Sequence, residues 1–110
     1  MKITFYVSSS GRSYFERFLD EIPRQDKSQI LAVFEDIKNY GLNALGCQFR
    51  PIEGKLWEIK IRTSGGGWRF FYVMLSSDHM HVLHSYRKQT EKAPKHELNV
   101  ARKRLKEILR

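Results

Sequence analysis

The sequence predicts an α+β domain built on an antiparallel-rich sheet. Three observations predict it. Leu56–Arg62, Trp68–Leu75 and His79–Arg87 read as consecutive strands joined by short turns, and short turns force antiparallel neighbours. Two stretches of helical periodicity precede them, and one follows. The resulting order, β-α-α-β-β-β-α, implies a sheet with its helices on one side.

Each element has a local cause. Lys2–Val7 alternates, with Ile3, Phe5 and Val7 on one face, and reads as the first strand. Ser13-Tyr14-Phe15-Glu16 matches a capping box, which satisfies free amides at a helix start. Phe15, Phe18, Leu19 and Ile22 form that helix's apolar stripe, and Pro23 ends it. A second helix is expected over Arg24–Tyr40, with Ile30, Leu31, Phe34 and Ile37 as its stripe and Gly41 as its stop. The two helices suggest an antiparallel hairpin covering the sheet. Gly41–Gly54 reads as irregular, punctuated by Gly41, Gly46, Pro51 and Gly54. Ser64–Gly67 and Ser76–Asp78 supply the two strand turns. Thr90–Pro94 breaks the chain before a last helix, Lys95–Leu109, with Leu98, Ala101, Leu105 and Ile108 on its apolar face.

Composition narrows the function. The 110 residues allow one domain, and a 41% hydrophobic content supports a packed core rather than disorder. A single cysteine, Cys47, excludes an intrachain disulfide and suits a reducing compartment. No apolar run approaches membrane-spanning length, and MKITFYVSSS lacks a signal-peptide core, so a soluble cytoplasmic protein without a membrane role is expected. Residues 1–54 carry seven Lys/Arg against seven Asp/Glu, while residues 55–110 carry thirteen against five. The whole net charge of +8 therefore lies in the half containing the three strands, which favours nucleic acid or an acidic protein as partner.

Several motifs exclude common chemistries. Gly65-Gly66-Gly67 joins two strands, whereas phosphate loops join a strand to a helix, so it reads as a flexible hairpin tip or a lid over a ligand. His79 and His81 can share a strand face, but with His84 and the distant Cys47 they complete no zinc ligand set, so no metal or other cofactor is expected. Cys47 lacks a nucleophile's surroundings and reads as a structural thiol.

The cations of the strands are the strongest functional signal. Glu58, Lys60 and Arg62 share one strand face. Arg69 stands among apolar and aromatic neighbours, where it needs a partner or a polyanion. It either grips phosphate bidentately or pairs with Glu58 across adjacent strands. Lys60 and Arg62 read as phosphate contacts or as an ordinary solvated face. Neighbouring cations would lower the Lys60 pKa, which would suit proton transfer. His84, with an ordinary pKa near neutrality, is an acid–base candidate or a strand histidine bonded to a neighbour. Tyr86 either stacks on an unpaired base or packs under the last helix. Arg87 and Lys88, at the strand exit, read as phosphate contacts.

The segments Leu56-Trp57-Glu58-Ile59-Lys60-Ile61-Arg62, Gly67-Trp68-Arg69-Phe70-Phe71-Tyr72 and Val82–Pro94, with Glu97 and Ala101-Arg102, carry a family likeness. Their order and spacing resemble the RelE/HigB toxin superfamily, in particular its phage-derived HigB-like branch, over nearly the whole chain. The resemblance implies a RelE-like fold and the toxin role of a type II toxin–antitoxin pair. It implies an mRNA interferase: a ribosome-dependent, metal-independent endoribonuclease that inhibits translation. In the implied reaction the ribose 2′-hydroxyl attacks the adjacent phosphate, leaving a 2′,3′-cyclic phosphate and a free 5′-hydroxyl. The implied partners are mRNA, the ribosome and a cognate helix-turn-helix antitoxin. Arg69, His84, Lys60 and Glu58 become the catalytic candidates, and Arg62, Tyr86, Arg87 and Lys88 the RNA contacts. Glu58 stands where the best-known RelE pattern has a lysine, and would serve as a base or orient Arg69. Some RelE relatives use a tyrosine farther on, and Glu91-Lys92-Ala93-Pro94 offers none. The charged last helix would face ribosomal RNA or an acidic antitoxin. The alternatives are a non-catalytic member of the fold that binds RNA or protein, and a toxin with another target, such as a DNA enzyme.

Overall fold

The computed structural model describes residues 1–89 and 94–110. The expected break at Thr90–Pro94 lies outside the described residues apart from Pro94, as does the segment Glu91-Lys92-Ala93. Among the described residues, nine elements follow one another: β1 (Lys2–Phe5), α1 (Tyr14–Asp20), α2 (Arg24–Tyr40), a 3-10 turn (Gly41–Asn43), β2 (Gln48–Glu53), β3 (Leu56–Thr63), β4 (Gly66–Ser76), β5 (His79–Lys88) and α3 (Lys95–Ile108). The sheet runs β1-β5-β4-β3-β2, antiparallel except for the parallel pair β1–β5.

The caps act where the sequence puts them. Ser13 Oγ accepts from the Glu16 amide at the start of α1. Gly41 ends α2 at φ 61°, and its N–H bonds the Ile37 carbonyl. Ile30, Phe34 and Ile37 are buried from α2, whereas Leu31, expected in the same stripe, is exposed.

Two expectations are corrected. The helices occupy both faces of the sheet. Phe15 and Leu19 of α1 and Ile30, Phe34 and Ile37 of α2 pack on Ile59, Ile61, Trp68, Phe70, Tyr72, Met80 and Val82. Leu98, Ala101, Leu105 and Ile108 of α3 pack on the opposite side, against Leu56, Phe71, Val73, Leu83 and Tyr86. The central strands are apolar on both faces, which demands two covering layers. The stretch read as irregular contains β2. Pro51 hid it, yet β2 is an edge strand, where a missing N–H is tolerated, and the register shifts between Pro51 and Glu53.

The β3–β4 turn is also not the free tip that its glycines suggest. Asp26 of α2, almost wholly buried, accepts from the Thr63 hydroxyl and, at 2.9 Å, from the Gly65 amide. Gln29 receives the Ser64 amide at 2.9 Å, and Arg87 Nη2 donates to the Gly65 carbonyl at 2.7 Å. A Cβ at residue 65 would stand 2.5 Å from the Asp26 oxygens, so the close approach requires glycine. The turn is thus fixed to α2.

Candidate phosphate-binding site

The strand register lays out the site as rows across the α3 face of the sheet. Arg62, Gly67 and Lys88 form one row. Gln48, Lys60, Arg69 and Tyr86 form the next, and Arg50 with Glu58 begins the third. Helix α3 covers the apolar half of this face. The cationic half borders a cavity of about 830 Å³ lined by Lys60, Arg62, Arg69 and Lys88, with Gly46, Cys47, Gln48, Ile61, Gly67 and Gln89. Among the described residues, four cations and no carboxylate line it.

Arg69 is held from behind. Its Nη1 donates to the Trp68 carbonyl at 3.1 Å, and its Nε lies 3.7 Å from Glu58 Oε1. Both expected readings of Arg69 are therefore compatible, since it pairs with Glu58 and still lines the cavity. A Cβ at position 67 would meet Nη1 at 3.4 Å, the edge of ordinary contact, so Arg69 does not depend on glycine there. Burial is the main cause lowering the pKa of Arg69, and the Glu58 carboxylate opposes it.

Glu58 does not line the cavity. It is 0% exposed, and its oxygens are engaged: Oε1 by Arg50 Nη2 at 3.0 Å and Oε2 by the Tyr86 hydroxyl at 3.2 Å. Tyr86 is correspondingly buried, stacked on Phe71 with centroids 5.5 Å apart, so its ring is packed rather than offered to a base. Burial first, and then the Glu58 charge, pushes its hydroxyl pKa up. Lys60 points into the cavity. Its pKa is lowered by desolvation, then by Arg69, Arg50 and Lys88.

Two predicted site residues lie elsewhere. Arg87 sits on the other face, over the Trp68 ring at 5.3 Å, and braces the turn. His84 lines a separate cavity of about 240 Å³ beside Tyr6, Tyr14 and Arg104. Arg104 Nη1 reaches His84 Nδ1 at 3.3 Å, and a guanidinium only donates, so Nδ1 accepts. Nε2 then carries the proton and donates it to Glu97 Oε1 at 3.0 Å. His84 joins β5 to α3. Arg104 lies over the Tyr6 and Tyr14 rings and donates to the Leu83 carbonyl, while Arg102 pairs with Glu53. His79 and His81 both bond Thr4 Oγ1. Burial lifts the Cys47 thiol to about 11, as a structural thiol requires.

Sequence reasoning missed Arg50 and the Gly46–Gln48 wall. The available signal was the alternation of Gln48 and Arg50 with Phe49, obscured by Pro51.

Residues 17–106 match the family model described as Phage derived protein Gp49-like (DUF891). The chain belongs to the Gp49-like family. That family is associated with RelE-like toxins, which points to the toxin of a toxin–antitoxin pair with an antitoxin as partner. The α+β architecture of the Gp49-like chain agrees with a RelE-like fold. No curated protein matches it. No helix among the described residues is long and apolar enough to cross a membrane.

Proposed function

We propose that this Gp49-like protein is an endoribonuclease toxin that cuts mRNA on the ribosome, and that the cationic cavity receives the scissile phosphate. The observation that carries this reading is a lining of Lys60, Arg62, Arg69 and Lys88 with no carboxylate among the described residues. Such a cavity favours a polyanion and, more strongly, the extra charge of a pentavalent phosphate. Arg69 is fixed before the substrate arrives, so its charge is preorganised.

In the proposed step a base takes the 2′-hydroxyl proton and the 2′-oxygen bonds to phosphorus. The bond to the 5′-oxygen breaks, and that oxygen gains a proton. The products are a 2′,3′-cyclic phosphate and a 5′-hydroxyl. Lys60 fits the base, because it lines the cavity, and desolvation and the neighbouring cations lower its pKa and ease proton loss. Glu58 is enclosed and His84 lines the other cavity, so neither is placed for this transfer. Glu58 instead orients Arg69.

The test is cleavage of a translated mRNA by purified protein and ribosomes, followed by analysis of the new ends. Cyclic phosphate ends that vanish when the scissile nucleotide is 2′-deoxy support the reading. Tight RNA binding with every transcript intact would identify a non-catalytic member of the fold. Growth arrest with intact mRNA would point to another target.

A further inference from the structure

A guanidinium outside the cavity shares the anchor of Arg69. Arg50 stands directly across from Glu58 in the β2–β3 register, and its Nη2 donates to the Glu58 carboxylate at 3.0 Å. That carboxylate also faces Arg69 and holds the Tyr86 hydroxyl. The partners differ in exposure. The Arg69 side chain is 9% exposed, but that of Arg50 is 47% exposed. Only one Arg50 nitrogen is engaged by Glu58, so the rest of its fork remains available to a ligand. Arg50 is two residues along β2 from Gln48, which lines the cavity, a displacement of about 7 Å. It follows Gln48 on the same face, so the cationic row continues past the cavity's edge.

We infer that Arg50 is a second phosphate-binding arm, gripping the phosphate next to the one held at Arg69. Glu58 is the positioning residue that sets both guanidinium groups. One buried negative charge cannot neutralise Arg50, Arg69 and the adjacent Lys60, so the cluster keeps a net positive charge for successive phosphates. A single isolated anion would engage only one end of it. The identity of the polyanion as RNA rests on the proposed function, whereas the role of Arg50 does not.

The experiment uses two probes, an eight-nucleotide 2′-O-methyl RNA that cannot be cut and inorganic tripolyphosphate. Arg50→Gln keeps a donor for Glu58 while removing the charge, which protects the fold. It should weaken both probes about tenfold. For the RNA it should also reduce the slope of log affinity against log salt by about 0.7, the loss of one contact to a single strand. Arg50→Lys should restore the slope. Unchanged affinity and slope in Arg50→Gln would overturn the assignment, as would a wild-type protein that binds neither probe. Arg50-dependent binding of tripolyphosphate with none of RNA would support the arm and contradict the RNA reading.

Discussion

Glu58 is a carboxylate enclosed among partners, and its removal should be felt in stability first. Glu58→Ala leaves the Tyr86 hydroxyl without its acceptor and Arg69 without its counter-charge, and should cost about 3 kcal/mol in urea unfolding. Tyr86→Phe removes one hydrogen bond from the same carboxylate and should cost about 1–2 kcal/mol. A Tyr86→Phe protein that remains stable but binds RNA far more weakly would show that the tyrosine meets substrate after all. The histidines give a pH signature. Burial lowers the pKa of both His81 and His84 below the ordinary 6.5, with His79 adding to the effect at His81 and Glu97 opposing it at His84. The unfolded chain therefore takes up protons first as pH falls, and folding stability must fall from about pH 6.5 downwards. Melting temperatures from pH 7.5 to 5 should decline, less steeply in His84→Gln. An equal decline in that variant would remove His84 from the account. These roles were only partly legible. The pairing of Arg69 with Glu58 follows from strand alternation, but Arg50 was concealed because Pro51 argues against a strand unless its edge position is known. His84 carried the right chemistry away from the cavity. It stands opposite Phe71 on the α3 face, where Glu97 and Arg104 of α3 engage both ring nitrogens, and strand alternation does not encode that helix contact.

At the scale of elements, the site depends on the β3–β4 hairpin keeping its pose on α2. Asp26 gathers the Thr63 hydroxyl and the Gly65 amide, and the Trp68 indole donates in turn to Thr63 at 2.6 Å. Asp26→Ala removes the acceptor of the buried Thr63 hydroxyl and of the Gly65 amide, and should cost about 2–3 kcal/mol by chemical denaturation. Because Lys60, Arg62 and Arg69 ride on that hairpin, the variant should lose RNA affinity even where it remains folded. Full affinity in the folded variant would mean that the turn does not set the site. The helices and the three long strands were readable because caps, glycines and apolar periods agreed. Helix placement was not. A stripe shows that a helix has a buried face, but not which side of the sheet receives it. The apolar character of both faces, with Phe70 and Phe71 each buried on opposite sides, is the feature that required α3 to cross over.

For the whole molecule, charge and layering act together. The cationic excess of residues 55–110 is not spread evenly. Arg87, Arg102 and Arg104 brace the fold, while Lys60, Arg62, Arg69 and Lys88 converge where α3 leaves the sheet uncovered. Net charge favoured nucleic acid or an acidic protein as partner, and strand register decides which cations line one cavity. The most direct test is cleavage of a translated mRNA by the wild-type protein and by Arg69→Ala, with both shown to be folded. The account predicts products ending in 2′,3′-cyclic phosphate for the wild type and a loss of about 100-fold or more in Arg69→Ala. Cleavage by Arg69→Ala at the wild-type rate, or no cleavage by the folded wild-type protein, would contradict it.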